Sequence, residues 1–193
     1  MSDLEEYYKT EELPLALVIA GLKEIETHGL ADFSLRRVAT SCGVSCAAPY
    51  RHFKSKNELI LAVIEYVNLR WELLSEQILQ SFASDTRRAI IEFCLANIRF
   101  WTANPNFRHI MLIDDSELDE NQRKERAGIY KPLSELVSRF CREKEASDSE
   151  AAQMLFLARS AIYGATQMLG SGEITNTEDS YKMIRSCLEL IIS

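Results

Sequence analysis

At 193 residues, 47% hydrophobic and 26% charged, the chain has the composition of a globular protein with enough apolar material for a core, and no run approaches a membrane span. Its formal charge of −7 opposes non-specific binding to nucleic acid, so any such function must come from a local basic patch. The acidic start MSDLEEYYKTEE lacks the regions of an export signal, five irregularly spaced cysteines make no disulfide framework, and His28, His52 and His109 have no metal-site spacing. Together these predict a cytoplasmic protein without metal or cofactor.

Few glycines and prolines and long helix-period segments predict an all-α fold. Residues 1–12 read as a flexible acidic arm. Pro14 suits a first helical turn, and Leu15, Val18, Leu22 and Ile25 form the apolar stripe of a helix that stops at His28-Gly29. Ser34 then caps a short helix carrying Leu35, Val38, Ala39 and Cys42, and Gly43 allows a sharp change of direction. Ser45 is a second cap candidate, predicting a helix from Cys46 to Phe53, with the small Ala39 permitting a close crossing. A small residue, a glycine and an apolar residue around a short turn describe a helix-turn-helix that reads DNA. From Phe33 to Asn57 the chain holds five basic residues (Arg36, Arg37, Arg51, Lys54, Lys56) and no acidic one, whereas all eight acids of residues 1–56 precede Phe33.

Ser55 to Glu58 fits a Ser-x-x-Glu capping box for a long helix reaching about Phe82, with Leu59, Ile60, Val63, Val67, Leu74 and Ile78 inward. A second helical body follows: Thr86 to Ala103, a break at Asn104-Pro105, a short apolar piece from Phe107 to Ile113, then about Leu118 to Lys144. Two further helices, Ser149 to Leu169 and Thr177 to Ile192, flank a Gly170-Ser171-Gly172 turn. The first of these is apolar nearly all round, which predicts burial on several sides. With its small residues Ala158, Ala161, Gly164 and Ala165 it reads, together with the last helix, as a homodimer face, an intramolecular core being the alternative. The domain reading is an arm over 1–12, a DNA-binding domain over 13–56 and a ligand-binding and dimerisation domain over 57–193.

Residues from about 15 to 66, and above all FSLRRVATSCGVSCAAPYRHFKSKNELILAVIEY, resemble the amino-terminal domain of the TetR family of bacterial transcription regulators. Gly43-Val44-Ser45, Tyr50, His52-Phe53, Lys56 and Glu58-Leu59 carry the resemblance. It implies a homodimer that binds a palindromic operator in double-stranded DNA, usually as a repressor released by a small molecule. Carried over by position, Ser34, Tyr50, His52 and Lys56 would hold the DNA backbone, and Arg36, Arg37, Cys46, Ala47 and Arg51 would meet base edges or neighbouring phosphates, with Ser45 also among the DNA-binding positions. The bland readings stay open: either arginine as a solvated helix residue, Tyr50 as packing, His52 as a local hydrogen-bonding group. Pro49 departs from the leucine more usual in the family. Cys46, in a first helical turn, is an oxidisable thiol or, more simply, a small apolar groove contact.

Ligand chemistry is less legible. Trp101, Phe107, Met111, Tyr130, Met154, Tyr163 and Gln167 are candidates to line an apolar cavity, with His109 and Arg159 as anchors for a polar or anionic ligand. No nucleophile–base pair, metal cluster or phosphate loop is present, so the chain is read as a non-enzyme. The alternative function is a DNA-binding protein of the same fold controlled by a protein partner, or acting architecturally without an inducer.

Overall fold

The computed structural model describes residues 12–192, and the acidic arm lies outside the described residues apart from Glu12. Among the described residues there are nine α-helices and no strand: α1 (Glu12–His28), α2 (Leu35–Ser41), α3 (Lys56–Ser81), α4 (Thr86–Ala103), α5 (Pro105–Leu112), α6 (Glu120–Gly128), α7 (Lys131–Glu143), α8 (Asp148–Ser171) and α9 (Glu178–Ile191). No helix among the described residues is long and apolar enough to cross a membrane.

Two compact units form. One comprises the chain up to Leu69 together with Asn106–Arg126, and the other Arg70–Pro105 together with Ala127–Ser193. Packing therefore does not divide the chain at 56/57, where the sequence suggests a change of role. The first half of α3, α5 beyond Pro105 and most of α6 belong to the same unit as the helix-turn-helix.

In the first unit Leu17, Val18, Leu22 and Ile25 of α1 are buried with Phe33, Val38, Ala39, Phe53 and, on α3, Leu59, Ile60, Val63 and Ile64. Gly21 lets α1 and α3 approach closely: a Cβ there would stand 3.1 Å from Val63 Cγ2. Side chains tie α6 to α3, Gln122 donating to the Asn57 carbonyl (3.0 Å) and Asn68 to the Glu125 carbonyl (2.6 Å). Asp119 and Gln122 cap α6 reciprocally, each side chain accepting from the other's backbone N–H at 2.9 Å.

In the second unit Trp71 meets Phe93 edge-on at 5.0 Å and donates to the Ile129 carbonyl (3.1 Å). Thr86 donates to Glu143 (2.8 Å), joining the start of α4 to the end of α7. Ser147 and Glu150 form a complete capping box for α8, and Gly172, at φ +78°, closes it.

Four expectations are corrected. The helix predicted over Leu118 to Lys144 is two, α6 and α7, because Pro132 in the first turn of α7 has no N–H to continue the earlier ladder. Helix α8 buries a single stripe, Ala158, Ile162, Thr166 and Leu169, rather than several sides. At the start of α3 Ser55 Oγ accepts from the Glu58 N–H (3.2 Å), but Glu58 reaches back to the Lys54 N–H, so the box is shifted by one residue on its return side. The fourth correction lies in the segment after Gly43.

Candidate nucleic-acid interface

Ser34 caps α2 as its sequence predicts, Oγ accepting from the Arg37 N–H at 3.4 Å. Gly43 sits at φ +68°, its N–H donating to Thr40 (3.0 Å), and Val44 N–H returns to the Ala39 carbonyl (3.1 Å). Cys42 Sγ reaches the Ala16 carbonyl of α1 (3.5 Å), which seats the end of α2 on the core.

Beyond this turn the α-helix predicted from Cys46 to Phe53 is absent. Residues 46–48 form a turn, and Pro49–Arg51 is one turn of 3-10 helix with Ala48, not Ser45, at its N-cap. Pro49 is the cause: it has no N–H to give the Ser45 carbonyl, which accepts from Ala48 instead (2.9 Å). Arg51 and His52 likewise bond three residues back, to Ala48 (3.1 Å) and Pro49 (3.0 Å). Pro49 and Ala48 are buried, anchoring the segment.

This conformation sorts the candidate residues. Ser45, Cys46, Ala47 and Arg51 are exposed, Tyr50 is 58% exposed, and Arg36 is exposed on α2. Arg36, Arg51 and Lys54 make no ion pair with another described residue. Ser34 and His52 are half-buried.

Arg37 and Lys56 have intramolecular work. Arg37 Nε donates to Glu24 Oε1 (2.7 Å), a terminal nitrogen donates to the Asp32 carbonyl, and the same Glu24 oxygen accepts the Ser34 N–H (3.0 Å). Glu24 is only 7% exposed, so its charge is met by Arg37 and the Ser34 amide together. The hydrogen bond to Glu24 is also the main cause holding the Arg37 guanidinium protonated beyond its ordinary range. Lys56 Nζ donates to the Leu30 carbonyl (3.2 Å) and lies 5.8 Å from the centre of the Phe33 ring. Sequence reasoning missed Glu24. Its signal was an acid ten residues before the Ser34 cap, on a helix otherwise committed to the core.

The nine ligand candidates are divided between the two units. Phe107, His109 and Met111 lie in the first unit, where Phe107 meets Tyr66 edge-on at 6.1 Å. The other six lie in the second unit. Trp101 is fully buried and donates to Asn97 (2.8 Å); Tyr130 stacks on Tyr163 at 5.9 Å, with the Arg159 guanidinium 4.7 Å from the Tyr130 ring centre. Met154 borders a separate surface cavity of about 430 Å³ beside Cys141 and Leu157, and Gln167 is exposed. Also missed were Asn97 Nδ2 and Thr166 Oγ1, fully buried in the second unit without a hydrogen-bond partner among the described residues. Buried polar groups of this kind are generally met by bound water or another polar partner.

The sequence over residues 17–63 matches the family model of bacterial regulatory proteins, tetR family. No curated protein matches the chain. Its fold is similar to that of a TetR family transcription regulator from Marinobacter aquaeolei, with TM-score 0.74, 18% identity, and 92% and 94% of the two chains covered. It is also similar to the fatty acid degradation regulator FadR from Bacillus halodurans (TM-score 0.71, 14% identity, 93% and 94%). A third similar structure is the transcriptional regulator FadR from Bacillus subtilis in complex with stearoyl-CoA (TM-score 0.70, 13% identity, 93% and 97%).

Proposed function

We propose that this chain, whose residues 17–63 match the family model of bacterial regulatory proteins, tetR family, is a repressor that binds a palindromic operator as a homodimer and is released by a small molecule. The observation that carries the reading is the exposed, acid-free run at 45–47 and 50–51, flanked by Arg36 and Lys54, on a helix-turn-helix in a chain of net charge −7. Local cations overcome the repulsion that the whole molecule presents to DNA.

In this reading Arg36 and Arg51 meet base edges or phosphates, Tyr50 and Ser34 offer hydroxyls to the backbone, and Ser45, Cys46 and Ala47 lie against the groove. Arg37 acts through Glu24 as a positioning residue, holding the start of α2. A 3-10 turn presents fewer successive side chains than an α-helix, so base reading rests on few contacts. Two such segments must lie ~34–36 Å apart to occupy successive major grooves.

The dimer face is α8 with α9. The former exposes Phe156 (70%), Leu157 and Met168, the latter Met183, Cys187 and Leu190 (80%), apolar side chains that a second copy would cover. Cys187 reports on it: alkylation should be slow at concentrations where the chain is dimeric and fast on dilution.

The unmet Asn97 and Thr166 groups and the Tyr130–Tyr163 stack support an effector site in the second unit. The stearoyl-CoA of the Bacillus subtilis protein makes acyl thioesters the first class to test. An effector releases DNA only if it binds the two dimer states with different affinity. The long helix α3, whose first turns pack with the DNA-binding segment, is the element it would bias. Gel-shift titration against promoter regions flanking the protein's own gene, followed by random-site selection, tests the core of the reading. Failure of both to show specific, salt-sensitive binding overturns it.

A further inference from the structure

The second unit also carries an outer groove of about 240 Å³ that the repressor reading does not use. Its wall is apolar, made by Ile78 and Phe82 at and just beyond the end of α3, Leu95 of α4 and Tyr181 of α9. Its rim is cationic in excess, with Arg99, Lys182 and Arg185 set against Glu92 and Glu178.

The two acids differ in kind. Glu92 is 19% exposed and grips Arg185 through both oxygens (2.8 and 2.9 Å), a contact that joins α4 to α9. Glu178 is 72% exposed, yet it too meets Arg99 through both oxygens, each at 2.9 Å. The Arg99 guanidinium lies 3.8 Å from the centre of the Tyr181 ring, a contact that does not depend on which carboxylate faces it. A preorganised guanidinium beside an apolar wall is thus occupied by the chain's own, solvent-facing carboxylate. Exposed ion pairs of this sort hold weakly, and Glu178 can turn into water without leaving a buried charge behind.

We propose that this groove is a binding site for a small monocarboxylate with an apolar body, whose carboxylate takes the place of Glu178 on Arg99 while its body lies against Phe82, Leu95 and Tyr181. The volume lies below the ~300–1,000 Å³ of drug-sized pockets and suits an aromatic acid or a short fatty acid. On α9 the groove-facing positions 178, 182 and 185 lie on the opposite side of the helix from the exposed 183, 187 and 190. The groove therefore lies off the proposed dimer face of α9.

The test is calorimetric titration of the full chain with benzoate and with octanoate, against benzyl alcohol as a neutral isostere and acetate as a carboxylate without a body. The expected result is saturable binding of at least one of the two acids, with neither control saturating in the same range. Glu178→Gln should tighten binding severalfold by removing the internal competitor. Arg99→Met should weaken it by about tenfold or more, and Arg99→Lys, which keeps the charge but not the fork, should also weaken it. Circular dichroism shows which variants are folded, and Arg99→Lys keeps the test open if Arg99→Met is not. Absence of saturation by both acids, equal binding of benzyl alcohol, affinity indifferent to Arg99, or no gain in Glu178→Gln each overturns the proposal.

Discussion

Replacing Gly43 by alanine isolates what the turn of the helix-turn-helix costs. Gly43 lies at φ +68°, and a Cβ built there meets nothing within 4 Å, so no steric contact enters the sum. What remains is the left-handed penalty of an L-residue, about 1–2 kcal/mol, less the several tenths recovered because alanine stiffens the unfolded chain. The net loss is about 1 kcal/mol, or ~2–4 °C in Tm for a chain of this length. Gly29 (φ +72°) and Gly172 (φ +78°) are equally open, so alanine at each should lose a similar amount, measured by urea unfolding followed at 222 nm. The functional expectation is less obvious. The Gly43 and Val44 amide bonds hold the turn, so the strain is present in both free and DNA-bound protein and cancels from the affinity. Operator affinity below the unfolding range should change by less than about threefold, under ~0.7 kcal/mol. An unchanged stability, or a loss far above that at Gly29 and Gly172, would refute the account of the turn. A large affinity loss in folded protein would show that the turn relaxes instead of bearing the strain.

The division of labour among arginines is visible in salt titrations of operator binding. Removing Arg36 or Arg51 should lower the slope of log K against log salt by ~1 per lost phosphate contact, whereas Arg37→Ala should leave the slope unchanged and lower thermal stability, since it strands the buried Glu24 carboxylate. Thr166→Val removes a buried hydroxyl without a partner and should raise unfolding stability by about 1 kcal/mol; a loss of that size would mean the hydroxyl is satisfied in the native protein. Glu65, on α3, has its carboxyl pushed above the ordinary range near 4.5, by burial first and by Glu125 second. The native state therefore holds this proton at pH values where the unfolded chain has released it, and stability from this group is full below the unfolded value and declines as pH rises through the folded one. Glu65→Gln should gain on the wild type as pH is raised from about 4.5 to neutral, and a gap that is flat with pH removes the assignment.

Element existence was legible in local chemistry. Ser34, Gly43, Asn104-Pro105 and Gly172 mark ends that depend on a cap, a positive φ or a missing N–H, and these act within a few residues. The cationic, acid-free stretch was equally plain because charge is counted without a fold. Errors arose where one local rule was weighed too lightly. Pro49 turns the expected α-helix into a 3-10 turn, and Pro132 splits the helix expected over Leu118 to Lys144. Both prolines act through a missing N–H, which outweighs the helix-period spacing around them.

Other properties require residues distant in the chain to meet. Glu24 claims Arg37 and the Ser34 amide across ten or more positions, and nothing in the spacing distinguishes Arg37 from the exposed Arg36 beside it. The ligand candidates, chosen for aromatic or polar character, scatter between two packing units, while the groove at Arg99 pairs helices whose contacts lie about eighty residues apart. The even hydrophobicity of α8 could not say which face the chain buries and which it leaves bare. Caps, turns and charge are properties of neighbours along the chain and can be read there. Which cation is free, which acid is captive and which apolar face stays open depend on what packing brings alongside, and only the folded molecule supplies those neighbours.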